Sequence, residues 1–177
     1  MTSLPLVSTL PHASDADLTT VLDLLFEPSP PLSALTLPVL RSTTFPSYHV
    51  LIVAVSAQWK ALASSANPED VKKLSDILCS HPRLGEKKVD SEQSRKEQAQ
   101  LQQGAEEEKE KLAALNREYE DKFPGLRYVV FVNGRPRSAI MEDMRARIAR
   151  ADMAAERQEA IQAMCDIALD RARKLQA

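Results

Sequence analysis

Glycine is scarce in this chain, at 4 residues, and aromatic side chains make up only 5%. An all-β sandwich needs turn glycines and packed aromatic strands, so that class is disfavoured. Cysteine is limited to Cys79 and Cys165. No disulfide framework can be built from so few, and two buried, reduced thiols in an intracellular protein are expected. Charge of one sign is also missing. The formal net charge is -2, so no basic field exists to hold a nucleic acid. The longest apolar stretch, residues 50–55, is far too short to span a bilayer, and no membrane partner is expected. Residues 1–11 lack a positive n-region and are interrupted by prolines, so they do not read as a signal peptide. Residues 1–13 read as a flexible extension. The last residues are not of the Ser-Lys-Leu type, which leaves a cytoplasmic or peroxisomal setting without a readable address.

What is present suits helices. The 177 residues fit one domain rich in Leu, Val, Ile and Ala. A helix is expected from Ser14 or Asp15, with Leu18, Val21, Leu22 and Leu25 on one face. The proline-rich run 27–31 stops it. Residues 32–40 are apolar but contain Pro38, which predicts short helical turns. A longer helix over 47–63 carries Leu51, Val55, Gln58, Trp59 and Leu62 as its seam. Asn67-Pro68-Glu69-Asp70 starts the next, which turns Val71, Leu74 and Leu78 inward. From Asp90 to Phe123 the chain is helix-forming, divided at Gly104, with Leu112, Leu115 and Tyr119 facing inward. The charged run 106–111 is a solvated face. Residues 127–132 form a short apolar segment too isolated for a sheet, so an extended stretch between helices is expected. Ser138 is expected to cap a helix through Ile148, and a last helix over 154–175 packs through Ile161, Met164 and Ala168. The fold class is therefore all-α, a single-domain bundle of six to eight helices with one extended segment.

Metal sites need convergent ligands, and the three histidines His12, His49 and His81 show no metal spacing. No metal is expected. Neither a glycine-rich phosphate loop nor a Gly-x-Ser-x-Gly elbow is present, so nucleotide cofactors and serine hydrolysis lose their usual signals. His81 stands out. It follows a helix end, precedes Pro82, and opens the loop Arg83-Leu84-Gly85-Glu86. On the polar helix that follows, Ser94, Glu97 and Gln98 stand at i, i+3 and i+4, sharing a face where a bundle helix usually buries Leu. A histidine opposite a carboxylate, a hydroxyl and an amide can form an acid–base pocket. A surface histidine beside a solvated helix is the plainer alternative.

The segments "SHPRLGEK", "SRKEQ" and "LNREYEDKF" occur in this order. Together they resemble the 2-oxo-4-hydroxy-4-carboxy-5-ureidoimidazoline (OHCU) decarboxylase family. The family's His-Pro-x-Leu matches His81 to Leu84, its Ser-x-x-Glu-Gln matches Ser94, Glu97 and Gln98, and its next helix matches Leu115, Asn116, Tyr119 and Phe123. "FEPSP" at 26–30 and an Arg-rich final helix with Arg171 extend the resemblance from about residue 15 to 175. Departures occur at Pro31, at Arg83-Leu84-Gly85-Glu86 and in the connection 123–128. The resemblance implies an all-helical, homodimeric enzyme that uses no cofactor and converts OHCU to (S)-allantoin and carbon dioxide in urate degradation. It implies His81 as the acid–base group with Glu97 as its partner. Pro82 shapes the wall, Ser94 and Gln98 bind the ring or ureido group, Arg171 binds the carboxylate, and a backbone amide near Val129 meets a ring carbonyl. The rival readings are the same fold acting on another ureido acid, and a helical interaction protein without catalysis. Residues 92–110 lack the apolar heptads that a coiled-coil binder needs.

Overall fold

The structure, a computed structural model, describes residues 3–86, 91–102, 104 and 106–176. Eight α-helices are present among them, and no strand. They are α1 (Asp15–Phe26), α2 (Pro30–Ser42), α3 (Tyr48–Ala63), α4 (Pro68–Leu78), α5 (Glu92–Gln98), α6 (Glu106–Lys122), α7 (Arg137–Arg150) and α8 (Met153–Leu175). The expected start of the polar helix at Asp90 lies outside the described residues, as does Lys87 of the "SHPRLGEK" segment.

Local chemistry sets the starts. Ser14, Ser29, Ser47, Asn67, Ser91 and Asp152 each accept a backbone N–H of the first turn they precede. The core is built around α8, against which α3 and α1 pack; α4 lies on α3, α2 on α1, and α6 on α7. Trp59 of α3 is fully buried and meets Phe26 edge-on, with ring centroids 5.2 Å apart. In α4, Leu74, Ile77 and Leu78 are buried while Val71 is only half-buried. Cys165 is buried, Cys79 is half-buried, and both are free thiols.

Three expectations change. Residues 30–42 form one helix, with Pro38 inside it, instead of separate turns. Proline removes one ladder bond. Burial of Leu32, Thr36 and Leu40 along one stripe outweighs that loss, and Gln58 of α3 grips the helix, donating to the Leu35 carbonyl at 3.1 Å and accepting from Thr36 at 3.2 Å. Second, α7 starts at Arg137 after Pro136, which makes no side-chain cap bond, so Ser138 is not the cap. The chain turns through Asn133 and Gly134, both at positive φ, and the fixed φ of Pro136 leads straight into the helix. Third, residues 3–13 are not a loose extension. Val7–His12 is a 3-10 helix, the Leu4 N–H donates to the Leu175 carbonyl at 3.0 Å, the Tyr48 hydroxyl donates to the Pro5 carbonyl at 2.9 Å, and Leu10 is buried. Two apolar side chains, Leu4 and Leu10, have core to enter, which the prolines around them conceal in sequence.

A docked segment and a loose one respond differently to truncation at Leu10. Leu10→Ala is expected to lower unfolding free energy by roughly 2–4 kcal/mol in urea denaturation, the range for emptying a buried leucine site.

Candidate active site

α1 ends at Glu27, which takes φ 97°. A side chain rarely adopts that conformation, and the following Pro28 narrows the choice further. The result is a carboxylate turned into the protein interior, 2% exposed. There it meets the end of α8. The Arg171 guanidinium, also 2% exposed, donates from Nη2 to Glu27 Oε1 at 2.7 Å and to Ser94 Oγ at 2.9 Å. The same arginine donates from Nε to Glu97 Oε1 at 2.8 Å and from Nη2 to Glu97 Oε2 at 3.0 Å. Ser94 in turn donates its hydroxyl hydrogen to Glu27 Oε1 at 2.5 Å. One buried cation therefore ties α1, α5 and α8 together.

His81 sits on this network. It is buried, and its Nδ1 lies 4.0 Å from Glu27 Oε1 with no hydrogen-bond partner among the described residues. Its pKa is lowered to about 4, first by burial and then by the Arg171 guanidinium, with Glu27 opposing. His81 is thus a neutral imidazole at neutral pH.

The loop carrying His81 is fastened from several sides. Arg127 donates to the His81 carbonyl at 3.3 Å, and Asn116 donates to the Leu84 carbonyl at 3.0 Å. Arg83 forks onto Glu120 of α6 at 2.5 and 3.0 Å and reaches Glu86 at 3.1 Å. Gly85, at φ 75°, lies so close to α6 that an added Cβ would stand 2.8 Å from Leu112. The Gly85 N–H donates to Gln98 Oε1 at 3.0 Å, which locks the loop to α5 and leaves Gln98 Nε2 without a partner among the described residues.

A cavity of about 450 Å³ opens here. His81, Glu97 and Gln98 line it together with Leu84, the stretch Val130 to Gly134, and Ile167 of α8; Lys96, Asp170 and Lys174 are also at its wall. The volume suits a small polar molecule. Among the described residues, no three His, Cys, Asp or Glu side chains gather as a metal site.

The structure therefore brings His81, Glu97 and Gln98 to one cavity but distributes the other expected residues differently. Ser94 is fully buried and spends its hydroxyl on Glu27 and Arg171. Arg171 is engaged with both carboxylates, and only its Nη1 has no hydrogen-bond partner among the described residues. Val129 is buried, while the cavity wall begins one residue later, at Val130. Pro82 is half-buried beside His81. Sequence reasoning missed Glu27 as a site residue. Its signal is the Phe26 to Pro30 motif itself, which both stops α1 and carries part of the family resemblance.

A model of the OHCU decarboxylase family matches residues 11–173 of the 177-residue chain, so the chain belongs to that family. Its members are carboxy-lyases of urate degradation. A comparison with curated proteins finds no match.

The depressed pKa of His81 has a consequence for stability. Unfolded, the imidazole titrates near about 6.5; folded, near about 4. Between these values the unfolded chain binds more protons, so this contribution is complete above the unfolded pKa and is lost as pH falls through the folded one. Over that window the wild-type protein is expected to lose about 3 kcal/mol more than His81→Gln, measured as urea unfolding free energy at stepped pH. Parallel pH profiles for the two proteins would contradict a buried neutral histidine.

Proposed function

We propose that this member of the family converts OHCU to (S)-allantoin and carbon dioxide, using His81 and Glu97 as its acid–base pair. The observation that carries the reading is that His81, Glu97 and Gln98, brought from a loop and a separate helix, line one cavity of suitable size. Gln98 Nε2 has no hydrogen-bond partner among the described residues, and His81 is uncharged at neutral pH.

The bond between the ring carbon and its carboxylate breaks, carbon dioxide leaves, and the electron pair spreads onto the adjoining C–N unit of the ring. A proton delivered to one face then fixes the product's configuration. A neutral imidazole suits this task because it can take a proton from the substrate hydroxyl and return one to carbon without first having to be discharged. Glu27, 4.0 Å from Nδ1, places a negative charge beside the imidazole. Glu97, held by two bonds from Arg171, stands at the cavity wall as the second proton-carrying group. Arg171 is not at the cavity wall and serves by holding Glu97 there, and the ring rests against the wall that starts at Val130 and is shaped near His81 by Pro82. No metal or organic cofactor enters this scheme, and the enzyme works as a homodimer.

The test supplies fresh OHCU by oxidising urate and hydrolysing the first product in place, and follows circular dichroism. Uncatalysed decay yields racemic allantoin and no lasting signal. Wild-type protein is expected to build the (S)-allantoin signal rapidly, His81→Ala to lose ~100-fold or more in rate, and Glu97→Gln at least ~10-fold. A folded wild-type protein that leaves the decay racemic and no faster would overturn the assignment.

A further inference from the structure

The cavity's far wall has an unusual support. Residues 126–132 belong to no helix or strand, yet Tyr128, Val129 and Val132 are buried. Buried backbone carbonyls need donors, and without a neighbouring strand they are found close by: the Arg135 N–H donates to the Val132 carbonyl at 2.9 Å, and side chains must supply the rest. Two arginines do so. Arg147 of α7 donates from Nη1 to the Val129 carbonyl at 3.1 Å. Arg135 donates from Nη2 to the Phe131 carbonyl at 2.6 Å and from Nε to the Val132 carbonyl at 3.3 Å.

Arg147 is itself held firmly. Its guanidinium lies over the Tyr128 ring, 4.6 Å from the centroid, and pairs with the fully buried Glu156 of α8 at 2.9 Å. Glu156 also accepts from the Tyr119 hydroxyl at 2.5 Å and from Arg150 at 2.6 Å. Burial works against the Glu156 charge, but the bonds from Arg147 and Tyr119 hold its pKa below the usual carboxylate range. On the other side of the segment, Val130, Phe131 and Val132 line the cavity that holds His81.

We propose that Arg147 and Arg135 are positioning residues of the reaction cavity: by gripping the carbonyls of Val129, Phe131 and Val132 they set the wall against which the substrate ring lies. The proposal rests on the functional reading above. It has a kinetic signature. If the wall is correctly placed in only part of the population, apparent affinity falls by that fraction while a saturated enzyme turns over normally. A merely structural brace changes the amount of folded enzyme, and so the maximal rate, without moving KM.

The variants are Arg147→Lys, Arg135→Ala and, as a control, Tyr119→Phe. Lysine keeps a cation opposite Glu156 but lacks the fork that also reaches Val129. Arg135 is exchanged at a less buried position, so that variant folds even if the first does not. Tyr119→Phe removes a bond to Glu156 and leaves the Arg147 contact with Val129. Both arginine variants are expected to raise KM for OHCU at least ~5-fold with kcat within ~2-fold of wild type. Hydrogen exchange across residues 127–132 should quicken at least ~10-fold relative to α3. Tyr119→Phe should lower Tm while leaving KM and relative exchange unchanged. Wild-type KM in both arginine variants, or unchanged exchange over 127–132, overturns the proposal whatever happens to Tm. A wild-type protein inactive on OHCU would sink the functional reading instead, and the exchange measurement would still decide whether the arginines hold the wall.

Discussion

A guanidinium taken out of water has to be surrounded by acceptors, and Arg171 gathers two carboxylates and a hydroxyl from elements far apart in the chain. The rest of the site follows from that requirement. Glu27 leaves α1 in a conformation that side chains rarely adopt, and from there its carboxylate meets the arginine. The short helix α5 has to present Ser94 and Glu97 on one face, which places Gln98 beside them and locks the His81 loop through Gly85. His81 then lies within reach of both a cation and an anion, and burial keeps it uncharged. A buried network of this kind is weak evidence for stability. Its value here is registry: four segments meet at one place with little freedom.

Much of the architecture was legible because helices announce themselves locally. Ser14 and Asn67 act as caps where their side chains suggest, the helix expected from residue 47 begins there with Ser47 as its cap, and Leu18, Leu51 and Leu112 of the expected seams are buried. Two of the failures share a cause. Pro38 inside α2 and the prolines around Leu10 each send a local signal that long-range packing overrides, whereas α7 starts before Ser138 because Pro136 leads into it. The polar inward face of α5 is visible because polar residues at i, i+3 and i+4 are out of place in a bundle. Glu27 was not visible, since nothing in a Glu-Pro pair tells a stop signal from a buried ligand. The fate of Ser94 was equally hidden. A serine facing a cavity and one facing an arginine behind it look the same in sequence.

The segment 126–132 presents the opposite case. Its apolar character forecast burial without forecasting how its backbone would be satisfied. Arginine carries donors in a fixed fork, and the two arginines that serve these carbonyls come from the turn after the segment and from the helix beyond it. Nearby sequence thus supports a wall that, in a β-containing protein, would need a neighbouring strand. This lets an all-helical fold line a cavity with an extended segment, Val130 to Val132.

Helix α8 carries Glu156 near its start and Arg171 near its end. The two stand about 22 Å apart along a rod rising about 1.5 Å per residue. Each is buried, and each completes a different charged network. Inserting or deleting a single residue between them would turn one about 100° relative to the other, so both could not face inward together. Between these positions, α8 therefore tolerates exchange of its solvent-facing residues more readily than the gain or loss of a single residue.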